Sequence, residues 1–354
     1  MSSTLESIRV LELASVLAGP LAATALAEMG AHVTKVERPP SGDVTRSWKT
    51  AGESTHVETS SYYECANGNK SIAWKDLNSD EGRDWLEKQL ADHDVLLDNF
   101  KSADLQKFNL DPEEVAKRHP HLIRVRLVGF CSEPDRLAYD VVVQAETGFM
   151  HMNGHKEQPP VRMPVALMDV LASHQIRSAV LEGLLGRAEG KTGFFAEVSL
   201  EASGITALVN QATNYLVAGN IPERNGGLHP NIAPYGEVLP CRDGHLVLAV
   251  GNDRQFKSLC AVLGKPKWAE DELYATNQQR VLNRARMMHQ LEQASIEFFK
   301  EQLKEELQIA GVPSGVVRSI DEVFQSGSEA NNWTTENASG ARRPLAVAYR
   351  VKHF

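Results

Sequence analysis

The sequence predicts an α/β protein in two parts: a nucleotide-binding-like large domain with a mainly parallel sheet, and a smaller α+β domain. Three observations carry this. The N-terminal half alternates apolar, β-branched runs with helix-patterned runs, an order that covers a parallel sheet with helices. A glycine-rich loop, NIPERNGGLHPNIAPYG at 220–236, breaks the pattern, and an apolar hairpin and charged helices follow it. At 354 residues the chain also exceeds the usual single domain.

The elements follow in order. IRVLEL at 8–13 reads as a strand, SVLAGPLAATALAEMGA as a helix stopped by a glycine, and HVTKVE at 32–37 as a second strand, which makes a βαβ unit. DEGRDWLEKQLADH has helical spacing, DVLLDNF is strand-like, DPEEVAKRHP is a short helix with an acidic first turn, and LIRVRLVGF is another strand. From Asp169 a helical period runs to Gly190, FAEVSL alternates as a strand, and EASGITALVNQATNYLVAG reads as one further helix. Beyond the glycine-rich loop, GEVLPC and HLVLAVG flank an RDG turn, RQFKSLCAVLG is helical, and 284–311 reads as one long charged helix. The expected boundaries are a large domain over 1–205 completed by 320–354, a linker over 206–226, and a small domain over 227–319.

Composition removes several function classes. A formal charge of −9 argues against broad binding to nucleic acid or to an anionic membrane, both of which need a cationic face. The four cysteines are far apart with no CxxC pair, so neither a zinc site nor a disulfide scaffold is expected. The N-terminus lacks the basic segment of a signal peptide and the longest apolar stretch, Val16 to Ala27, is too short to span a bilayer, so a cytoplasmic location is expected. The first strand-to-helix turn has no GxGxxG, which removes the dinucleotide fingerprint. GRAEGKTG is one residue short of a phosphate loop and follows a helix; Gly190 is more simply a helix stop. No histidine pair has ligand spacing, so no metal is indicated, and no GxSxG supports a serine hydrolase.

What remains is Asp169, at the head of a helix in PVALMDVLASHQ. Such a carboxylate can cap the helix. It can also be a nucleophile, and helix-terminal amides would keep it ionised at neutral pH, so that it attacks an acyl carbon without a general base. Tyr139 and Asp140 lie just before an apolar run, where a core tyrosine is the plain reading. Arg38 closes the second strand, where ligands gather in open α/β sheets and a guanidinium suits a phosphate. Lys70, Lys101 and Lys107 add positive charge to the same lobe.

The order of segments resembles the class III coenzyme A transferases, the group of the formyl-CoA and carnitine CoA-transferases, with the α-methylacyl-CoA racemases as relatives. The resemblance runs from about residue 5 to 325 through IRVLELASVLAGPLAATALAEMGAHVTKVERP, NGNKSI, DNFKSADLQKFNLD, AYDVVVQAETG, MDV and LHPNIAPYGEVLPCRDGHLVLAVGNDRQF. It implies an interlocked homodimer and no permanently bound cofactor, with coenzyme A and acyl-CoA as substrates beside a small carboxylic acid. It puts the acyl-accepting nucleophile on Asp169 and CoA contacts on Val16, Arg38, Ile72, Asn99, Phe100, Lys107 and Tyr139. Racemase relatives use a histidine where this chain has Tyr139, which favours CoA transfer over an acyl-CoA racemase or epimerase; a silent acyl-CoA-binding protein is the third reading. Gly68 stands where relatives often carry arginine, Cys131 replaces a glycine, Leu137 replaces a basic residue of some relatives, and the formyl-CoA enzyme's covering glycine loop has no obvious counterpart. These departures bear on the acid substrate rather than on the fold.

Overall fold

The computed structural model describes residues 4–337 and 340–352. The chain forms two compact units, one of 1–152, 161–222 and 329–354, the other of 153–160 and 223–328.

The first unit begins with β1 (Arg9–Glu12), α1 (Ala18–Glu28) and β2 (His32–Glu37). It continues through α2 (Ser61–Ala66), β3 (Ser71–Trp74), α3 (Asp80–Asp92), β4 (Val95–Asp98), α4 (Ser102–Lys107), α5 (Pro112–Arg118) and β5 (Ile123–Val128). Then come α6 (Asp140–Glu146), α7 (Phe149–Met152), α8 (Leu167–Ala188), β6 (Phe195–Ser199), α9 (Leu200–Ala207) and α10 (Val209–Ala218). Six strands form one parallel sheet in the order β3-β2-β1-β4-β5-β6. β3 is an edge strand that the sequence pattern did not reveal, because only Ile72 and Ala73 in it are even partly buried.

Alternate strand residues point to opposite faces. Val10, Leu97, Val125 and Leu127 therefore pack with α1 and α8, whereas Leu11 and Leu96 pack with Leu86, Leu90, Leu105 and Val115 on the other side. Helices α8 and α9 approach closely at a small residue: a Cβ on Gly204 would lie 2.7 Å from Met168 Sδ. Strand order reverses between β1 and β4, so the loops at their carboxyl ends diverge and leave a crevice.

The C-terminal residues return to this unit as an antiparallel pair, β10 (Thr334–Glu336) with β11 (Arg342–Pro344). Arg343 donates to Glu28 at 2.6 Å, and its guanidinium lies over Gly68, where an added Cβ would be 2.1 Å from Arg343 Nε. The space that a longer side chain at position 68 would need is thus filled by an arginine from the chain's far end.

In the second unit β7 (Tyr235–Cys241) and β8 (Gly244–Ala249) form the expected hairpin, and β9 (Ser314–Val316) adds a third antiparallel strand. Around it lie α11 (Asp253–Val262), α12 (Asn277–Leu282), α13 (Arg284–Ser295), α14 (Lys300–Ile309) and α15 (Ile320–Val323). The single helix expected over 284–311 is two. The hairpin turn intercepts it, since Arg242 N–H donates to Phe298 O at 2.8 Å and Asp243 accepts the Lys300 N–H at 2.7 Å. The helix expected over 201–219 is also split, at Val209, whose φ is 40°.

Candidate active site

The turn after β1 is held from several sides. Val16 has φ 73°, an outlier for a β-branched residue, and its N–H donates to Asp43 Oδ2 at 3.2 Å. Asn99, just past β4, clamps Ser15: its Oδ1 accepts the Ser15 N–H and its Nδ2 donates to the Ser15 carbonyl, each at 3.2 Å. Asp43 is fixed by Lys35 at 3.0 Å, and Lys35 also reaches Glu12 and the Ala14 carbonyl at 2.9 Å.

Lys70 completes this buried cluster, 2.7 Å from the other oxygen of Glu12. Burial outweighs the Glu12 charge and brings its ammonium down to about 8. The expectation that Lys70 adds charge for a bound polyanion is therefore corrected, because a buried ammonium paired in this way is spent on the fold.

Asp169 is the third residue of α8 and makes no side-chain cap there; the capping reading fails. Instead Asp140 in α6 does that work, its Oδ1 accepting the Met168 N–H at 2.7 Å. Asp169 is 9% exposed and accepts a hydrogen bond from the backbone of Ala18, at the start of α1. Burial first, and the Asp140 charge second, push its carboxyl up to about 7 against the pull of that amide. Full ionisation at neutral pH, expected from the helix end, is thus overruled by desolvation and a like charge. Tyr62 from α2 faces the same group, and burial together with the Asp169 charge raises its phenol to about 12.

Three adjoining cavities follow the carboxyl ends of the strands. The inner one is lined by Ser15, Val16, Ala18, Asn99, Tyr139, Asp140 and Asp169. It shares Ser15, Asn99 and Lys101 with a middle cavity, which shares Leu13, Val36, Arg38, Phe100 and Asp104 with an outer one. Together they form a groove from Asp169 to Arg38. At its outer end Phe100 and Phe108 meet edge to face at 5.2 Å, with Lys75 and Asn78 alongside. Lys107 donates to Asn78, which sets it at the rim.

Of the residues singled out in the sequence, Val16, Asn99, Tyr139 and Asp169 thus meet at the inner end, and Arg38 and Phe100 at the outer. Ile72 lines none of these cavities. Tyr139 is 54% exposed, so the core-tyrosine reading is also corrected. Sequence reasoning missed Tyr62, Asp43 and the capping role of Asp140. Asp140 stands four residues before Gln144, a helical spacing that could have flagged a bonded pair; Tyr62 carries no pattern at all. Among the described residues no group of three or more His, Cys, Asp or Glu could hold a metal, and no helix is long and apolar enough to cross a membrane.

A carboxylate at the inner end of a groove, beside a backbone N–H, can accept an acyl group, and the outer end offers Arg38 and Lys75 alongside Asp76 and Asp104, with Lys107 at the rim. Comparison with known proteins points the same way. A model of CoA-transferase family III matches residues 5–350. A succinate–glutarate CoA-transferase of Agrobacterium fabrum is 38% identical over 326 residues, 90% of this chain and 81% of that protein. A mouse succinyl-CoA:glutarate CoA-transferase is 33% identical over 93% of this chain and 75% of its own. The crystal structure of a CAIB/BAIF family protein from Brucella suis superposes with TM-score 0.85 at 33% identity, covering 99% of this chain and 93% of that one.

Proposed function

The chain belongs to CoA-transferase family III, and on that premise we propose that it moves CoA between short dicarboxylic acids through a covalent intermediate on Asp169. Transfer of CoA to a carboxylic acid is what the Agrobacterium and mouse relatives are named for; the residues and the acid class are the proposal. The observation that carries it is the nearly buried Asp169 carboxylate, held by the Ala18 amide at the closed end of the groove.

The Asp169 carboxylate attacks the donor thioester carbonyl, the C–S bond breaks, and a mixed anhydride forms with release of CoA thiolate. The thiolate attacks the aspartyl carbonyl, expelling the donor acid and leaving an aspartyl-CoA thioester. The acceptor carboxylate attacks that thioester, giving a second anhydride and thiolate. Attack of the thiolate on the acceptor's carbonyl then yields the new acyl-CoA and restores Asp169. No net proton is needed. Ala18 N–H, already aimed at the carboxylate, is the donor placed to stabilise the oxyanions, and burial raises the basicity of the nucleophile once it is ionised.

CoA lies along the groove in this reading, its thioester by Val16, Asn99 and Tyr139, and its nucleotide by Arg38, Phe100 and Lys107. Ile72 has the least support, being outside the groove lining. The dicarboxylate class rests on the names of the Agrobacterium and mouse relatives. A homodimer belongs to the same reading, supported by the apolar face of α10, where Leu216 is 79% and Val217 81% exposed. So does a cytoplasmic location with four reduced cysteines. Nothing in the inner lining favours a racemase, since Tyr139 stands where a histidine base would be required and the lining contains no histidine.

Hydroxylamine added during incubation with succinyl-CoA should convert Asp169 to a hydroxamate, found by peptide mass spectrometry. Asp169→Ala should form none and lose CoA exchange by at least about a thousandfold, in line with removal of a covalent nucleophile. Exchange retained by Asp169→Ala would end this reading.

A further inference from the structure

We propose that Asp140 is a positioning residue for the transfer reaction: it anchors the first turn of α8 so that Asp169 faces the groove, and it keeps a second negative charge beside that nucleophile. This rests on the aspartyl mechanism above.

The geometry is specific. α8 begins at Leu167 after Ala166, which has no side-chain acceptor for the free amides of the first turn. Asp140 Oδ1 supplies one, taking the Met168 N–H at 2.7 Å, on the residue next to Asp169. Its other oxygen accepts Gln144 Nε2 at 2.6 Å, and Gln144 Oε1 in turn accepts the Met163 N–H at 2.8 Å. Asp140 and Gln144 therefore fix both ends of the segment leading into α8. A helix cap needs no ionised carboxylate facing a cavity, yet Asp140 lines the inner cleft together with Asp169. Among the described residues no lysine or arginine forms an ion pair with it.

Among the described residues no cation pairs with either carboxylate, and Lys101 at the head of α4, which lines the same cleft, is felt at Asp135. From α2, Tyr62 faces both. From α1 the Ala18 amide reaches Asp169. Arg136, before α6, is bound by Glu146, and Glu201 of α9 faces Arg136. On β5, Arg124 is held by Asp98, while Arg126 is held by the Phe100 carbonyl and by Glu197 of β6. Arg162 lies in the segment before α8, its guanidinium on the Met163 and Pro164 carbonyls and its charge felt at Tyr62.

Two like charges in one site make the free enzyme less favourable than it would otherwise be. When Asp169 is acylated it loses its charge, and the repulsion disappears with it. The attacking carboxylate is thereby more basic, and the anhydride is favoured over the free enzyme.

The test is the pH profile of kcat/KM for CoA exchange in Asp140→Asn, Asp140→Ser and Asp140→Glu, with folding checked by thermal melting. Both variants remove the charge; Asn keeps an Oδ1 that can accept the Met168 N–H, whereas the Ser hydroxyl is one bond shorter and gives that contact up. In both, the acidic limb should move down by about one pH unit, while kcat should fall about tenfold to a hundredfold in Asp140→Ser, which also frees the turn that carries Asp169, the loss typical of a misplaced reacting group. Asp140→Glu should keep the limb within about 0.3 unit of wild type, because it retains the charge. An unmoved limb in a folded uncharged variant overturns the inference; if Asp140→Asn does not fold, Asp140→Ser gives the same reading. Hydroxamate formation at Asp169 in the wild type tests the underlying mechanism separately, so failure of one is distinguishable from failure of the other.

Discussion

Asp169 sits where burial works against its own charge, and that conflict is measurable in the protein's stability. Its folded-state carboxyl titrates at about 7, pushed up by desolvation and then by Asp140, while in the unfolded chain it returns to the ordinary carboxylate range. Between those values the folded state binds the extra proton, so this group's contribution makes stability fall as pH rises from about 4 to about 7. Asp169→Asn removes the titration. Its melting temperature should exceed that of the wild type by more at pH 8 than at pH 5. The difference amounts to a few kcal/mol at most, since one pKa unit corresponds to about 1.4 kcal/mol. An equal gap at both pH values would mean that the carboxylate is not desolvated in solution. The same residue shows what sequence could and could not supply: its helix end is legible in MDV, but the cap from Asp140 and the Ala18 amide come from α6 and α1, 29 and 151 positions away.

Elements were readable where their period was uninterrupted. Strands β1, β2, β4, β5 and β6 announce themselves as apolar runs, and the β7–β8 hairpin by its RDG turn. The charged run over 284–311 has a continuous helical pattern, and no local signal marks its break at residues 296–299. The interruption is tertiary, made by Asp243 and Arg242 of the hairpin. Asp243→Ala should therefore lower Tm by about 2–4 °C, as expected for losing a helix cap of about 1 kcal/mol in a chain this long, with exchange activity at 25 °C unchanged. A variant that melts with the wild type would show that α14 starts without help. β3 escaped notice for the opposite reason: it is an edge strand whose ends, Ser71 and Trp74, are exposed, so it lacks the apolar run that marks a central strand.

At the scale of the whole molecule, α10 presents an apolar face with no residue of the helix buried. An exposed patch of this kind marks an interaction surface, and the proposed occupant is a second copy of the chain. Sedimentation velocity on the wild type should give a species of twice 39.0 kDa, and Leu216→Glu should shift it toward the single-chain mass. A wild-type chain that sediments alone at micromolar concentration would sink the dimer. Net charge, by contrast, acts over the molecule as a whole. At −9 it disfavours a polyanion over most of the surface, so in the proposed reading the attraction for the carrier falls to Arg38, Lys75, Lys101 and Lys107 along the groove.

The sequence by itself determined the parallel sheet and the hairpin, because each depends on periodicity or on a short run of residues that interact with their immediate neighbours, while the proposed nucleophile and groove residues came from the resemblance of whole segments to a family. Only the tertiary structure decided that Lys70 is buried against Glu12, that Tyr139 is exposed, and that Asp140 stands beside Asp169. Solvation and pairwise charge depend on which distant segments the fold brings within a few ångströms, and spacing along the chain does not record that distance.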